Sequence, residues 1–305
     1  MPFSVQFSEY GNTDVLRMVE VPALSPDPGQ VSVAVRAAGI NPIDWKTMQG
    51  LMRGEFTLTL PAGLGTDLAG VVDQVGAEVT EFRVGDAVMG ASLTPSFAEF
   101  ALADPASLIK KPDDISWEVA GSVAGAGATA YAVLNELGVR ATDTLLIHAA
   151  AGGVGTFAVQ LAVARGARVI GTASERNFDY LRSIGAEPVA YGDGLLDRVR
   201  AIAPRGVDAV LDASGRGEIP LSIALAGGPE RVLTLVAFDA AAAGIQVHTG
   251  GAGSELGPAL RQIVSLIEQG RLSVPIWRTY PLSQTAAALD ASQSGHLRGK
   301  IVVLA

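Results

Sequence analysis

The sequence predicts an α/β protein, with a doubly wound parallel sheet preceded by a smaller, irregular β-rich domain. Three features predict it. Residues 1 to about 115 carry short alternating apolar runs broken by Pro and Gly. After Trp117 the pattern becomes strand, turn and amphipathic helix, repeated. A glycine cluster, Gly152, Gly153 and Gly155, joins one of those strands directly to its helix. The 305 residues are enough for about two domains, and 49% hydrophobic against 17% charged residues points to a packed chain rather than a disordered one.

In the first part the runs QVSVAVRAAG, AGVVDQVG and DAVMG read as strands, with little that reads as a long helix. The second part opens with TLLIHA and a helix from about Val154, then ARVIGTA and a helix after Ser174. In that second helix Phe178, Leu181 and Ile184 make one apolar stripe, with Ser174 as N-cap and Gly185 as the stop. EPVAYG returns as a strand. Further units pair LLDRVRAIA with VDAVLDAS and EIPLSIALA with ERVLTLVAF, and a short IQVHT brings the total to about six strands. From Leu256 the helix PALRQIVSLIEQG leads into residues 274–281, a second helix around 284–290 and a last strand, Lys300–Leu304, which is expected to return to the first domain.

Several functions are excluded early. Net charge is -9, from 22 Lys+Arg against 31 Asp+Glu, the wrong sign for a field that attracts nucleic acid. Zero cysteines exclude disulfides, thiolate nucleophiles and Cys-containing metal sites, and His148, His248 and His296 lack metal-ligand spacing. No metal site is therefore expected. The N-terminus MPFSVQFSEYGN has neither a basic nor an apolar leader region, so a cytoplasmic protein is expected. The uncharged run 144–164 is long enough to span a bilayer, but its central glycines divide it into a buried strand, a turn and a helix.

The strongest single feature is LLIHAAAGGVG at 145–155. Glycines there allow a tight turn and close approach of backbone to a pyrophosphate, whose charge is favoured by the N–H groups and dipole of the helix N-terminus. Ala150 stands where the first glycine of the usual fingerprint belongs, giving A-x-G-x-x-G. At the end of the second strand an NAD site would carry Asp or Glu for the ribose hydroxyls. Here Ala173 holds about that position, followed by Ser174, which can donate to a 2′-phosphate, and Arg176, which can pair with it. NADP(H) is the expected cofactor; as the alternative, Arg176 is a solvated residue at a helix start.

AAGINPIDWK at 37–46, GTDLAGVVDQVG at 65–76, FRVGDAV at 82–88, AGATAYAVL at 126–134, AAAGGVG at 149–155, GTAS at 171–174 and RGKIVV at 298–303 follow one another in order. In this the whole chain resembles the medium-chain dehydrogenase/reductase superfamily, specifically its zinc-free quinone oxidoreductase branch, the zeta-crystallin relatives. The resemblance implies a GroES-like catalytic domain from residues 1–117 with a C-terminal return at 257–305. It implies a Rossmann NADP-binding domain at 118–256, an active-site cleft at the junction, and a homodimer. On the substrate side it implies Asn41 and Asp44. Thr129 is implied to hold the nicotinamide carboxamide, while Gly152, Gly153, Val154 and Gly155 cradle the pyrophosphate. Ser174, Arg176 and Tyr191 match positions that clasp the 2′-phosphate, with Arg176 standing in for the family's usual Lys. Ser214 and residues Val236 to Phe238 correspond to the sheet edge that meets ribose and nicotinamide, and Arg298 to a residue that reaches the cofactor. Asn41 lies where the zinc-dependent relatives carry a ligating cysteine.

Without a readable metal or nucleophile, the expected work is to position a cofactor that carries the chemistry. The expected reaction is zinc-independent hydride transfer from NADPH to a quinone or an α,β-unsaturated ketone. Asn41 can donate to the developing oxyanion, and Lys46 or water can supply the proton. Asp44 either orients Asn41 or Lys46 or stabilises the turn after Pro42. Trp45 and Phe238 either face an aromatic substrate or serve packing, and His148 is expected beneath the phosphate loop without an acid–base role. An enoyl reductase of a biosynthetic pathway and a non-catalytic NADPH-binding protein are the alternatives, since fold does not fix function. The expected partner is a small molecule, with neither nucleic acid nor membrane.

Overall fold

The computed structural model describes residues 1–54, 57–249, 253–295 and 297–305. One of the three histidines, His296, lies outside the described residues. The chain divides into two compact units: 1–126 with 256–264 and 275–305, and 127–255 with 265–274. Relative to the sequence expectation, 118–126 and 256 pack with the first unit and 265–274 with the second.

In the first unit the alternating runs become β1 (Phe3–Phe7), β2 (Arg17–Glu20), β3 (Val31–Gly39), β4 (Ala62–Gly63), β5 (Asp67–Val75), β6 (Ala87–Ala91), β7 (Phe100–Ala103) and β8 (Leu108–Lys110). A short helix α1 (Pro42–Met48) follows β3, and α2 (Trp117–Ala120) precedes α3 (Ala124–Glu136), within which the first unit's chain passes into the second. β1 pairs with β2 and β4 in a small antiparallel sheet. β3 and β5 pair antiparallel at the centre of the larger one. Val31, Val33, Val35, Leu68, Val72 and Phe97 are buried in one apolar cluster, which gives the small domain a core of its own.

The second unit is the parallel sheet. Its strands are β9 (Thr144–His148), β10 (Arg168–Ala173), β11 (Ala186–Ala190), β12 (Ala209–Asp212), β13 (Val232–Thr234) and β14 (Gln246–Val247). All neighbours pair parallel in the order β11-β10-β9-β12-β13-β14. This is the doubly wound order, reversing direction at β9, as the βα alternation predicts. The connecting helices are α4 (Gly153–Ala164), α5 (Phe178–Ser183), α6 (Leu195–Ile202) and α7 (Ile219–Ala226). Leu146, Ile170 and Val210 from the strands bury against Leu195, Val199 and Leu225 from the helices.

The chain continues through α8 (Leu256–Glu268), β15 (Ile276–Pro281), α9 (Thr285–Ser294) and β16 (Lys300–Leu304). β16 pairs antiparallel with β3, Val302 opposite Gly39 and Leu304 opposite Ala37. The long uncharged run resolves into β9, the glycine turn and α4, and no described helix is long and apolar enough to cross a membrane. One local expectation changes. Ser174 does not cap a continuous helix: a 3-10 turn, Glu175–Asn177, intervenes before α5, and Ser174 makes no side-chain capping bond. Its hydroxyl instead accepts from Asn177 Nδ2 at 3.3 Å, because Asn177 competes for the hydroxyl within the same turn.

Candidate active site

β9 ends at the buried His148, and Ala149 then adopts φ +56°, the one positive value outside glycine among the described residues. Strain of this kind persists where surroundings over-determine it. Ala149 N–H donates to Thr172 Oγ1 at 3.2 Å and Ala150 N–H to the Thr172 carbonyl at 3.0 Å. Gly152 N–H closes the turn on the Ala149 carbonyl at 2.9 Å. A Cβ on Gly155 would stand 2.3 Å from that same carbonyl oxygen, so only glycine lets α4 begin this close to the strand. Gly152 is the N-cap without a side-chain capping bond, and the twelve-residue α4 presents the N–H groups of Gly153, Val154 and Gly155, which have no intrahelical acceptor. This backbone cradle fits a pyrophosphate.

Ala150 fills the place of the missing fingerprint glycine, and the sheet makes room for it. A Cβ on Gly171 of β10 would lie 2.7 Å from the Ala150 Cβ. Beneath the loop His148 Nε2 lies 3.0 Å from Ser222 Oγ and Nδ1 3.5 Å from Thr172 Oγ1, and burial pushes its imidazole below the usual range.

The carboxyl ends of the other strands carry the remaining nucleotide-side candidates. Ser174 is half-buried and Arg176 exposed after β10, and Tyr191 follows β11. Arg216, given no role by sequence reasoning, has its guanidinium carbon 4.8 Å from the Tyr191 ring centroid. Ser214 Oγ lies 2.9 Å from Asp212 Oδ1 and 2.6 Å from Glu218 Oε2, and its single proton can serve one carboxylate at a time. Asp212, also missed, ties two strand ends together by accepting from Ser214 N–H at 2.9 Å and from Thr234 Oγ1 at 2.9 Å. Thr234 Oγ1 in turn accepts from the N–H groups of Val236 at 3.2 Å and Ala237 at 3.1 Å. Phe238 is 44% exposed, so packing does not account for all of its ring. Thr129 sits half-buried on α3.

In the first unit Asn41 precedes α1, and its backbone N–H donates to Asp44 Oδ2 at 2.7 Å. This is the reach-back that fixes a helix N-terminus. Lys300, at the start of β16, is buried and donates to Asn41 Oδ1 at 2.6 Å and to the Ile40 carbonyl at 3.0 Å. Its Nζ is 3.8 Å from the buried Asp67, whose other oxygen accepts from Gly125 N–H at 2.8 Å. Burial pushes the Asp44 carboxyl up to about 7, raises that of Asp67, and lowers Lys300. Lys46 is also lowered by burial, with Nζ 5.7 Å from the Trp45 centroid, while Trp45 packs against the core. Arg298 is exposed. Asp67 and Lys300 lie inside motifs the sequence makes prominent, but nothing in a one-residue charge at a strand start signals that it is buried.

Residues 27–170 match the alcohol dehydrogenase GroES-like domain and 184–303 the zinc-binding dehydrogenase family. The chloroplast envelope quinone oxidoreductase homolog of Arabidopsis thaliana is 30% identical across 98% of this chain and 97% of its own length. The chain belongs to the medium-chain dehydrogenase/reductase superfamily, in its quinone oxidoreductase branch. Among solved structures, the Escherichia coli quinone oxidoreductase complexed with NADPH superposes with TM-score 0.88 at 27% identity, over 99% of this chain and 100% of that one. The CurK enoyl reductase gives TM-score 0.89 at 25% identity, over 99% of both. This member of the superfamily has no cysteine, and among its described residues no group of three or more His, Asp or Glu is gathered to hold a metal ion.

Proposed function

We propose that the protein is a zinc-independent, NADPH-dependent oxidoreductase that reduces a quinone or an α,β-unsaturated ketone. The observation that carries it is the pair of adjoining strand ends in the second unit. After β9 comes a backbone cradle that excludes a Cβ at Gly155; after β10 come Ser174 and Arg176 where an NAD site would carry an acid. The likeness to an NADPH complex of a quinone oxidoreductase supports the same cofactor. Gly152, Gly153, Val154 and Gly155 hold the pyrophosphate; Ser174, Arg176 and Tyr191 hold the 2′-phosphate. Thr129, Ser214, Val236, Phe238 and Arg298 serve the ribose and nicotinamide. When bound, NADPH supplies a hydride from its nicotinamide ring.

The chain's own contribution on the substrate side begins with Asn41. Its carboxamide oxygen accepts from Lys300 and its Nδ2 also hydrogen-bonds the buried Asp67 carboxylate, so what remains to offer a developing oxyanion is the second Nδ2 hydrogen. Asp44 is buried against the Asn41 backbone and acts as a positioning residue. Lys46, half-buried and lowered in pKa, gives up a proton more readily than an exposed lysine and is the side chain suited to protonating the product. The absence of cysteine supports zinc independence, since no thiolate is present to complete the Cys-containing sites its zinc-dependent relatives use.

An enoyl reductase acting on a biosynthetic intermediate is the second reading, favoured by the likeness to the CurK enoyl reductase. A homodimer joined at the β14 edge is proposed with either, and light scattering at twice 31.3 kDa would support it. The deciding assay follows NADPH absorbance in stopped flow after dialysis against a chelator, with matched NADH. The acceptors are 1,4-benzoquinone, 9,10-phenanthrenequinone, an alkyl enone and an enoyl thioester. NADPH-selective turnover unaffected by chelation is the expected result. Turnover of the thioester alone would transfer the chain to the second reading, and no turnover with any acceptor despite tight binding would overturn both.

A further inference from the structure

Tyr191 and Arg216 follow strands that are not neighbours. β11 and β12 are three places apart in the order β11-β10-β9-β12, about 14 Å at ordinary strand spacing. Their side chains nevertheless meet, the Arg216 guanidinium carbon 4.8 Å from the Tyr191 ring centroid. The contact therefore crosses the carboxyl ends of β10 and β9, the strands that lead into Ser174 and the glycine turn.

Both sides of this bridge are anchored. Arg198 on α6 donates to the carbonyls of Ala190 at 2.9 Å, Tyr191 at 3.3 Å, Gly192 at 3.1 Å and Asp193 at 2.7 Å, holding the backbone that carries Tyr191. Opposite, Asp212 Oδ1 accepts from Gly215 N–H at 3.3 Å and Glu218 Oε2 from Arg216 N–H at 3.1 Å. A guanidinium stacked on an aromatic ring uses its face and leaves its N–H edge to pair with an anion. The stacked pair carries a guanidinium into the span between the ends of β11 and β12, and within that span β10 ends at Ala173, where an NAD site would carry an acid, with the nearest carboxylate, Glu175, exposed on the turn beyond.

We propose that Arg216, stacked on Tyr191, is a second guanidinium for the 2′-phosphate and a specificity-determining residue for NADPH over NADH. The assignment rests on the NADPH reading above and deepens it. Arg176 approaches the phosphate from the strand end that an acid would occupy in an NAD site; Arg216 approaches from across the topological switch point.

The test is calorimetric titration of the full chain with adenosine 2′,5′-bisphosphate and with 5′-AMP, which needs no turnover. Arg216→Ala should weaken the bisphosphate about tenfold while changing 5′-AMP by less than about twofold. Arg216→Lys, which keeps the charge without the planar stack, and Tyr191→Leu, which removes the platform, should each lose part of that selectivity. Arg176→Ala is the reference. If it lowers the selectivity while Arg216→Ala leaves it at the wild-type value, the role of Arg216 is overturned and the NADPH reading stands. Equal weakening of both ligands by Arg216→Ala would also overturn it, as a loop effect. A wild-type protein that does not prefer the bisphosphate would sink the NADPH reading itself.

Discussion

Asp44 is the residue whose chemistry departs furthest from its appearance in the sequence. A carboxylate after Asn-Pro reads as a turn-stabilising or orienting group, and the reach-back to Asn41 N–H agrees with that. What the sequence does not reveal is its burial beside Asp67 and Lys300, which holds its carboxyl at about 7. An unfolded Asp titrates near 3.9, so between about pH 4 and about pH 7 the native state keeps a proton that the unfolded state has lost. This residue therefore withdraws stability as pH rises through that window, and the loss levels off above it. Asp44→Asn removes the titration while retaining an acceptor for Asn41. Denaturant unfolding should find the variant gaining on the wild type by up to a few kcal/mol between pH 4 and pH 8. A difference independent of pH would mean that Asp44 is ionised throughout. Asp67 and Lys300 escaped sequence reasoning for a related reason: each is the first residue of a strand, where a charge ordinarily faces water, and the pairing of β16 and β5 on either side of β3 brings them together in the interior.

At the scale of elements, the β9–α4 junction was legible because its physics is local. An apolar strand, a turn that tolerates no Cβ at Gly155 and an apolar helix leave few alternatives. The substitution of alanine for the fingerprint's first glycine was legible, but its compensation was not, since Gly171 meets Ala150 only through parallel pairing of β9 and β10. That pairing makes a prediction about two residues jointly. Gly171→Ala alone sets two methyl carbons about 2.7 Å apart, with Leu181 Cδ1 at 3.3 Å, and should destabilise the protein by about 1–3 kcal/mol. Adding Ala150→Gly in the same chain should recover most of the loss, a coupling that a double-mutant cycle by urea unfolding measures directly. Additive losses would show that the strain lies elsewhere. The 3-10 turn before α5 was misread for the opposite reason: Ser174 has the right type for a helix cap, and Asn177 three residues on takes its hydroxyl.

For the whole molecule, fold class came through the sequence because hydrophobic periodicity repeats over six strands and their helices, so errors at single boundaries do not accumulate. Charge was equally legible, and it sets a condition on the proposed cofactor. The chain carries a net charge of -9, so an anionic dinucleotide approaches against the field of the molecule, and on the proposed reading local groups hold it: helix N–H groups for the pyrophosphate, Arg176 and Arg216 for the 2′-phosphate. Salt acts on these differently. Raising ionic strength from about 0.01 M to about 1 M shortens the Debye length from about 30 Å to about 3 Å, which removes the long-range repulsion of both NADPH and NADH. The 2′-phosphate pairing with exposed guanidiniums is weakened as well, and it is present for NADPH alone. Affinity for NADH should therefore hold steady or rise across that range, while the preference for NADPH over NADH falls severalfold. Fluorescence titration of both dinucleotides across the salt series reads this directly. A preference that survives high salt undiminished would mean that the 2′-phosphate is recognised by buried hydrogen bonds instead of the exposed arginines at the strand ends.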